Sequence, residues 1–78
     1  MKITITRKDW KPGMDYQDPC GCLLHEAILR QIGNWNIVFP GIVRIMGECF
    51  HYGSRKHEAR LEAAHRDPSL LPITIELR

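Results

Sequence analysis

Residues 18–33 have the sequence DPCGCLLHEAILRQIG, and this stretch decides the fold because it predicts the one full-length helix. Asp18 suits the N-cap, and Pro19 suits the first turn, where its missing N–H costs nothing. Gly33 can adopt the left-handed conformation that ends a helix. At about 100° per residue, the side predicted to face the core carries Leu24, Ala27, Ile28 and Gln31, flanked by Leu23 and Ile32. We expect the remaining elements to cover this helix.

The rest of the chain alternates short strand-like segments with turns. Polar and apolar residues alternate near both ends, and turn signals at Pro40-Gly41 and Gly47 divide the middle into an antiparallel meander. Ser54 is a good N-cap for a second, shorter helix over residues 55–66, whose thin apolar stripe predicts peripheral packing. The predicted strands are residues 2–6, 37–39, 42–46, 48–52 and 73–77.

These elements predict a single α+β domain over residues 1–78, with an antiparallel sheet of four to five strands, one main helix and one shorter helix. The two terminal strands can pair and so tie down both ends of the chain. Residues 7–17 lack any periodicity and predict a long loop. We expect Trp10, Met14 and Tyr16 to hold this loop against the body.

The composition excludes several classes of protein. Eleven basic and nine acidic residues give a net charge of +2, which is too balanced for a dedicated nucleic-acid-binding protein. No apolar run is long enough for a membrane span. The N-terminal residues alternate instead of forming a continuous apolar segment, so a signal peptide is not expected. Three cysteines are an odd number, which favours free thiols and no disulfide.

Five cysteine and histidine residues form the sharpest candidate site, because thiolate and imidazole are the ligands that zinc prefers. They are Cys20, Cys22, His25, Cys49 and His51. The spacing argues against zinc: Cys20 and Cys22 would point about 200° apart on the predicted helix, so they could not share a metal. Cys22 with His25, and Cys49 with His51, could each share a face. We predict no metal and no cofactor, with buried thiols and surface histidines.

Nucleophilic chemistry is a second possibility, because a thiol at a helix N-terminus has a lowered pKa. Cys20 or Cys22 would need a histidine base, and His51, His57 or His65 are the candidates. No pattern in the sequence brings any of them close to the cysteines. We therefore predict no catalytic residues and a protein that is not an enzyme.

Two charged stretches are candidate interaction surfaces. The second helix carries a basic set that its acidic neighbours largely cancel, which favours a solvated face. The long loop combines Trp10, Lys11 and Tyr16, a mixture typical of interfaces, where tryptophan, tyrosine and arginine are frequent hot spots. The residues predicted to contact a partner are Trp10, Lys11 and Tyr16 from the loop, and Arg55, Lys56 and Arg66 from the helix.

The whole chain resembles the very small accessory proteins that phages and other mobile elements encode, anti-CRISPR proteins among them. The resemblance rests on a loop with Asp9 and Gly13, a cysteine opening an apolar helix, and a closing strand after Asp67. Further matching positions are Cys22, Leu24, Ala27, Ile28, Arg30, Pro68, Pro72, Ile73, Ile75 and Leu77. The proline that often follows the cysteine is replaced by Leu23.

This resemblance implies a non-enzymatic inhibitor in the host cytoplasm that binds a host protein complex, most specifically a CRISPR–Cas effector subunit. It carries over no catalytic residues. A small nucleic-acid-binding regulator that uses the second helix is the alternative, and a zinc-stabilised binding module is a further one. A homodimer through the exposed side of the meander is also possible.

Overall fold

A computed structural model describes residues 1–53 and 55–78; the predicted N-cap Ser54 lies outside the described residues. Two helices and five antiparallel strands confirm the α+β class. The second helix has 12 residues and the first 10, so the second is the longer one. The elements are β1 (Lys2–Ile5), α1 (Leu23–Ile32), β2 (Asn36–Phe39), β3 (Ile42–Ile45), β4 (Glu48–His51), α2 (Arg55–Arg66) and β5 (Ile73–Glu76).

The strands divide between two small sheets. The terminal strands β1 and β5 pair, with Ile3 opposite Ile75, which confirms that the two ends of the chain meet. The meander forms the second sheet in the order β2-β3-β4. One reciprocal pair of backbone hydrogen bonds joins the sheets: the His51 N–H donates to the Arg78 carbonyl at 2.7 Å, and the Arg78 N–H donates to the His51 carbonyl at 2.9 Å.

The predicted start of α1 at Asp18-Pro19 is wrong. The helix begins at Leu23, and Cys22 is its N-cap, with extended backbone. The Asp18 carboxylate instead accepts the Cys20 N–H at 3.0 Å and closes a local turn before the helix. An aspartate that bonds to the backbone two residues ahead forms such a turn as readily as it caps a helix. Gly33 ends the helix at φ 80°, as predicted.

The core lies between α1, the two sheets and the inner side of α2. The predicted stripe of α1 is correct for Leu24, Ala27 and Ile28, which are all buried. Gln31 is wrong as a core residue because its side chain is exposed. Trp10, Met14 and Tyr16 pack against the core, as expected of the long loop, and the other buried apolar residues are Ile3, Ile5, Cys22, Leu23, Val38, Val43, Ile45, Tyr52, Leu61, Ala64, Leu71, Ile73, Ile75 and Leu77.

The free edge of β1 is covered by side chains of α1. The Gln31 amide donates to the Thr4 carbonyl at 2.5 Å and accepts the Thr4 N–H at 3.2 Å, as a neighbouring strand would. Arg30 also donates to this carbonyl at 2.9 Å, and its guanidinium binds the buried Asp9 carboxylate at 2.7 and 3.0 Å. Edge strands left open invite pairing with other chains, so this cover protects the edge of β1.

The meander packs against α1 on one side, as expected of an element that covers this helix, and its other side is uncovered. Val38, Val43 and Ile45 are buried, while Phe39 and Arg44 on the opposite side are exposed. The β3–β4 turn requires a left-handed backbone at two consecutive positions, because Met46 has φ 51° and Gly47 has φ 81°. Since glycine accepts this conformation and methionine does so rarely, Met46 is the strained residue of the turn.

Candidate functional site

The cysteine and histidine residues considered for zinc lie apart in different environments. The prediction of buried thiols is correct for Cys22 and wrong for Cys20 and Cys49, which are exposed; all three are free thiols. His25 is buried, with Nδ1 3.1 Å from the Asn36 side-chain oxygen. Across residues 1–53 and 55–78, no three histidine, cysteine, aspartate or glutamate side chains are grouped so that they could hold a metal.

Both ring nitrogens of the buried His65 are hydrogen-bonded, and the expectation of surface histidines is wrong for it and for His25. Its Nε2 accepts the Leu23 N–H at 2.9 Å, and its Nδ1 donates to the Leu61 carbonyl at 2.6 Å. The Leu23 N–H can only donate, so Nε2 must be unprotonated in this arrangement. His65 therefore satisfies the first turn of α1, a role that the Cys22 side chain does not fill.

The electrostatic environment of His65 agrees with this role. Burial lowers the pKa of His65, because an imidazolium is poorly solvated inside the protein. Burial also raises the pKa of the neighbouring Cys22 thiol. Although the structure places His65 at the start of α1, its Nε2 is already occupied by the Leu23 N–H and the thiol is shielded. The contacts are those of a helix cap, and they differ from those of a cysteine–histidine nucleophile pair.

The six residues predicted to contact a partner do not form one surface. Tyr16 and Arg66 line the same cavity of ≈ 350 Å³, beside the buried His65. Trp10 lies next to it, since its indole N–H donates to the His65 carbonyl at 3.0 Å. The Tyr16 ring packs edge-on against the imidazole at 5.5 Å. Both aromatic residues therefore hold the long loop in place, whatever else they contact.

The three other residues lie elsewhere. Lys11 pairs with Glu26 of α1, with 3.8 Å between Nζ and the carboxylate. Arg55 and Lys56 begin α2, so Arg55 is about 16 Å along the helix axis from Arg66. Arg66 itself pairs with Glu62 at 3.2 Å, the favourable i,i+4 arrangement. The six positions thus remain predictions.

A different surface, which the sequence suggested only as a homodimer contact, lies on the uncovered side of the meander. We call it the outer face. Strand register places Ile37, Arg44 and Cys49 in one row across the sheet, and Phe39, Ile42 and His51 in the next. At one end, Trp35 is 61% exposed and Met46 is 76% exposed. Together with Ile37 and Arg44 they line a cavity of ≈ 430 Å³.

The composition of the outer face is that of a binding surface. Tryptophan, methionine, phenylalanine and arginine are all enriched in protein interfaces. Arg44 forms no hydrogen bond or ion pair with any side chain among the described residues. In the sequence, the outer face is indicated by alternation along β2: Asn36 and Val38 lie on one side of the strand, and Ile37 and Phe39 lie on the other. This signal is weak because both faces of the meander are apolar at most positions.

Comparison of the chain with protein-family models, with curated proteins and with solved structures finds no match. Neither helix in the described part of the chain is long and apolar enough to cross a lipid bilayer.

Proposed function

We propose that this protein is a non-enzymatic inhibitor that binds a host defence complex, a CRISPR–Cas effector subunit, through its outer face. The observation that carries the binding role is the exposed group of Trp35, Phe39 and Met46 around Arg44. Large exposed side chains of these types, on a rigid sheet, are the usual anchors of specific protein interfaces. The choice of a defence complex as the target rests on the resemblance to phage accessory proteins.

Charge favours a different protein over a second copy of this chain. In the two rows of the outer face, Arg44 is the charged residue and no carboxylate is present. A two-fold axis through this face would bring two positive surfaces together, which opposes association. A partner that presents an aspartate or glutamate within an apolar surround would pair with Arg44 and bury the aromatic residues.

The test begins with interference by the defence system. Cells carrying a CRISPR–Cas system are challenged with a targeted phage while they express the wild-type protein or a variant. We expect the wild-type protein to restore plaques and Arg44→Glu to abolish the effect, because the reversed charge repels the acidic group of the partner. Arg60→Glu on α2 makes the same charge change away from the outer face and should behave as the wild-type protein.

Purified components identify the partner and exclude the nucleic-acid alternative. Immobilised protein should retain the effector complex, and the Arg44→Glu variant should not. Binding to DNA would weaken steeply as salt rises, whereas a contact anchored by buried aromatic residues should weaken much less. Light scattering of the free protein should give a monomer. Failure to restore plaques against any system tried, together with no retained effector, would overturn the inhibitor proposal.

A further inference from the structure

Three aromatic residues line a small cavity between the long loop and the meander. We call it the aromatic cavity. Tyr16, Phe39 and Tyr52 line it, and its volume is ≈ 260 Å³. Tyr52 is 1% exposed and lies deepest; its hydroxyl donates to the Phe39 carbonyl at 2.7 Å, which fixes the ring. Phe39 is 45% exposed and stands at the opening.

A carboxylate lies at the β2–β3 turn, directly after Pro40, which lines the cavity. Glu58 of α2 reaches the β2–β3 turn, where its Oε1 lies 3.7 Å from the place that a β-carbon on Gly41 would take. The Tyr52 N–H donates to the Gly41 carbonyl at 3.0 Å, so the turn and the ring are held together. Within residues 1–53 and 55–78, Glu58 has no ion-pair partner.

The charge of Glu58 is felt by two of the rings. Burial raises the pKa of both Tyr16 and Tyr52, and the negative charge of Glu58 raises it further. A carboxylate near two phenols disfavours a second negative charge and favours a positive one. The cavity thus combines aromatic residues, a residue type whose ring faces attract cations, with the nearby charge of Glu58, which has no ion-pair partner among the described residues.

The geometry points to the aromatic cavity as a binding site for the basic side chain, lysine or arginine, of a partner protein. The size supports a side chain over a free small molecule, because small-molecule sites usually exceed about 300 Å³. This site goes beyond the proposed function, since Tyr16, Tyr52 and Glu58 do not belong to the outer face. Phe39 borders both surfaces, so one partner could contact them together.

Amide spectra of the ¹⁵N-labelled protein test the site with defined probes. The probes are the N-acetyl methylamides of arginine and lysine, and that of norleucine, which has nearly the shape of lysine without its charge. We expect saturable shifts at Gly41 and Tyr52 with the two cationic probes, and affinity at least about tenfold lower for norleucine. Shifts spread over the whole surface, or equal binding of norleucine, would overturn the proposal.

Three variants separate charge, aromaticity and general effects. Glu58→Gln and Phe39→Leu should each weaken the cationic probes by about fivefold or more. Glu48→Gln removes the same charge at the opposite end of the meander and should change nothing. Thermal unfolding by circular dichroism checks that all three variants fold. Unchanged affinity in both Glu58→Gln and Phe39→Leu would refute the site, and it would leave the outer-face proposal standing because that proposal is tested at Arg44.

Discussion

Protonation of His65 should destabilise the protein in mildly acidic solution. In the folded state the Leu23 N–H occupies Nε2, the only ring nitrogen left to bind a proton. Protonation of Nε2 would leave this N–H and the Leu23 N–H facing each other inside the core, with no acceptor between them. The pKa of His65 is lowered on folding, mainly by burial. The hydrogen bond to the Leu61 carbonyl and the charges of Asp15 and Glu62 oppose the shift only in part. A lowered pKa means that the unfolded chain binds the proton more readily.

The sign and size of the effect follow from this contact. The stabilisation is complete above the unfolded pKa of about 6.5, and it is lost as pH falls through the lower folded pKa. The lost hydrogen bond and the unpaired buried donor together cost about 1–3 kcal/mol. For a domain of this size, each kcal/mol lowers the melting temperature by about 4–8 °C.

Urea unfolding between pH 7.5 and pH 4.5, followed by tryptophan fluorescence, measures the effect. The variant His65→Gln keeps an acceptor but cannot titrate, so it should be less stable at neutral pH and show a smaller loss on acidification. His51→Gln, an exposed position on β4, serves as the control and should keep the wild-type pH profile. If His65→Gln loses as much stability on acidification as the wild-type protein, the reasoning about Nε2 is refuted.

Three further outcomes are expected. Arg30→Ala should lower the free energy of unfolding by about 2 kcal/mol, because it leaves the buried Asp9 carboxylate without its cation. The Arg30 side chain is 39% exposed, which keeps the loss below that of a fully buried pair. A change under about 0.5 kcal/mol in urea unfolding would contradict this. A colorimetric thiol reagent should react quickly with the two exposed cysteines and with Cys22 only on unfolding, since burial shields the Cys22 thiol and raises its pKa. If all three thiols react equally fast, the start of α1 opens readily. Met46→Asn should leave the free energy of unfolding unchanged or raise it by up to about 1 kcal/mol, because asparagine tolerates the left-handed backbone. The same substitution should weaken partner binding. A loss of stability would mean that Met46 packs against the protein.

The strands could be predicted from the sequence because their signals are local. Alternation and the turn at Pro40-Gly41 placed both ends of every strand to within one residue. The start of α1 could not be predicted from the sequence, because the first N–H of the helix donates to His65, a residue 42 positions away. No local pattern distinguishes an aspartate that caps a helix from one that closes a turn, and Asp18 does the latter.

The candidate site was harder to predict for a related reason. Trp10 and Tyr16 have the composition of an interface, but each is tied to His65 by a long-range contact that the sequence does not show. The outer face depends on which side of the meander α1 covers. An apolar ribbon can be buried on one side or both, and only the packing of the helix decides between these arrangements.

Pairing of the first and last strands has a consequence for synthesis of the chain. Lys2 lies opposite Glu76, so β1 leaves the ribosome long before its partner exists. At about 5–20 residues per second, the delay is on the order of several seconds. During that time one edge of β1 can be covered by Gln31 once α1 has formed, while its other edge stays open. Completion of the two-stranded sheet must therefore wait until β5 has been synthesised.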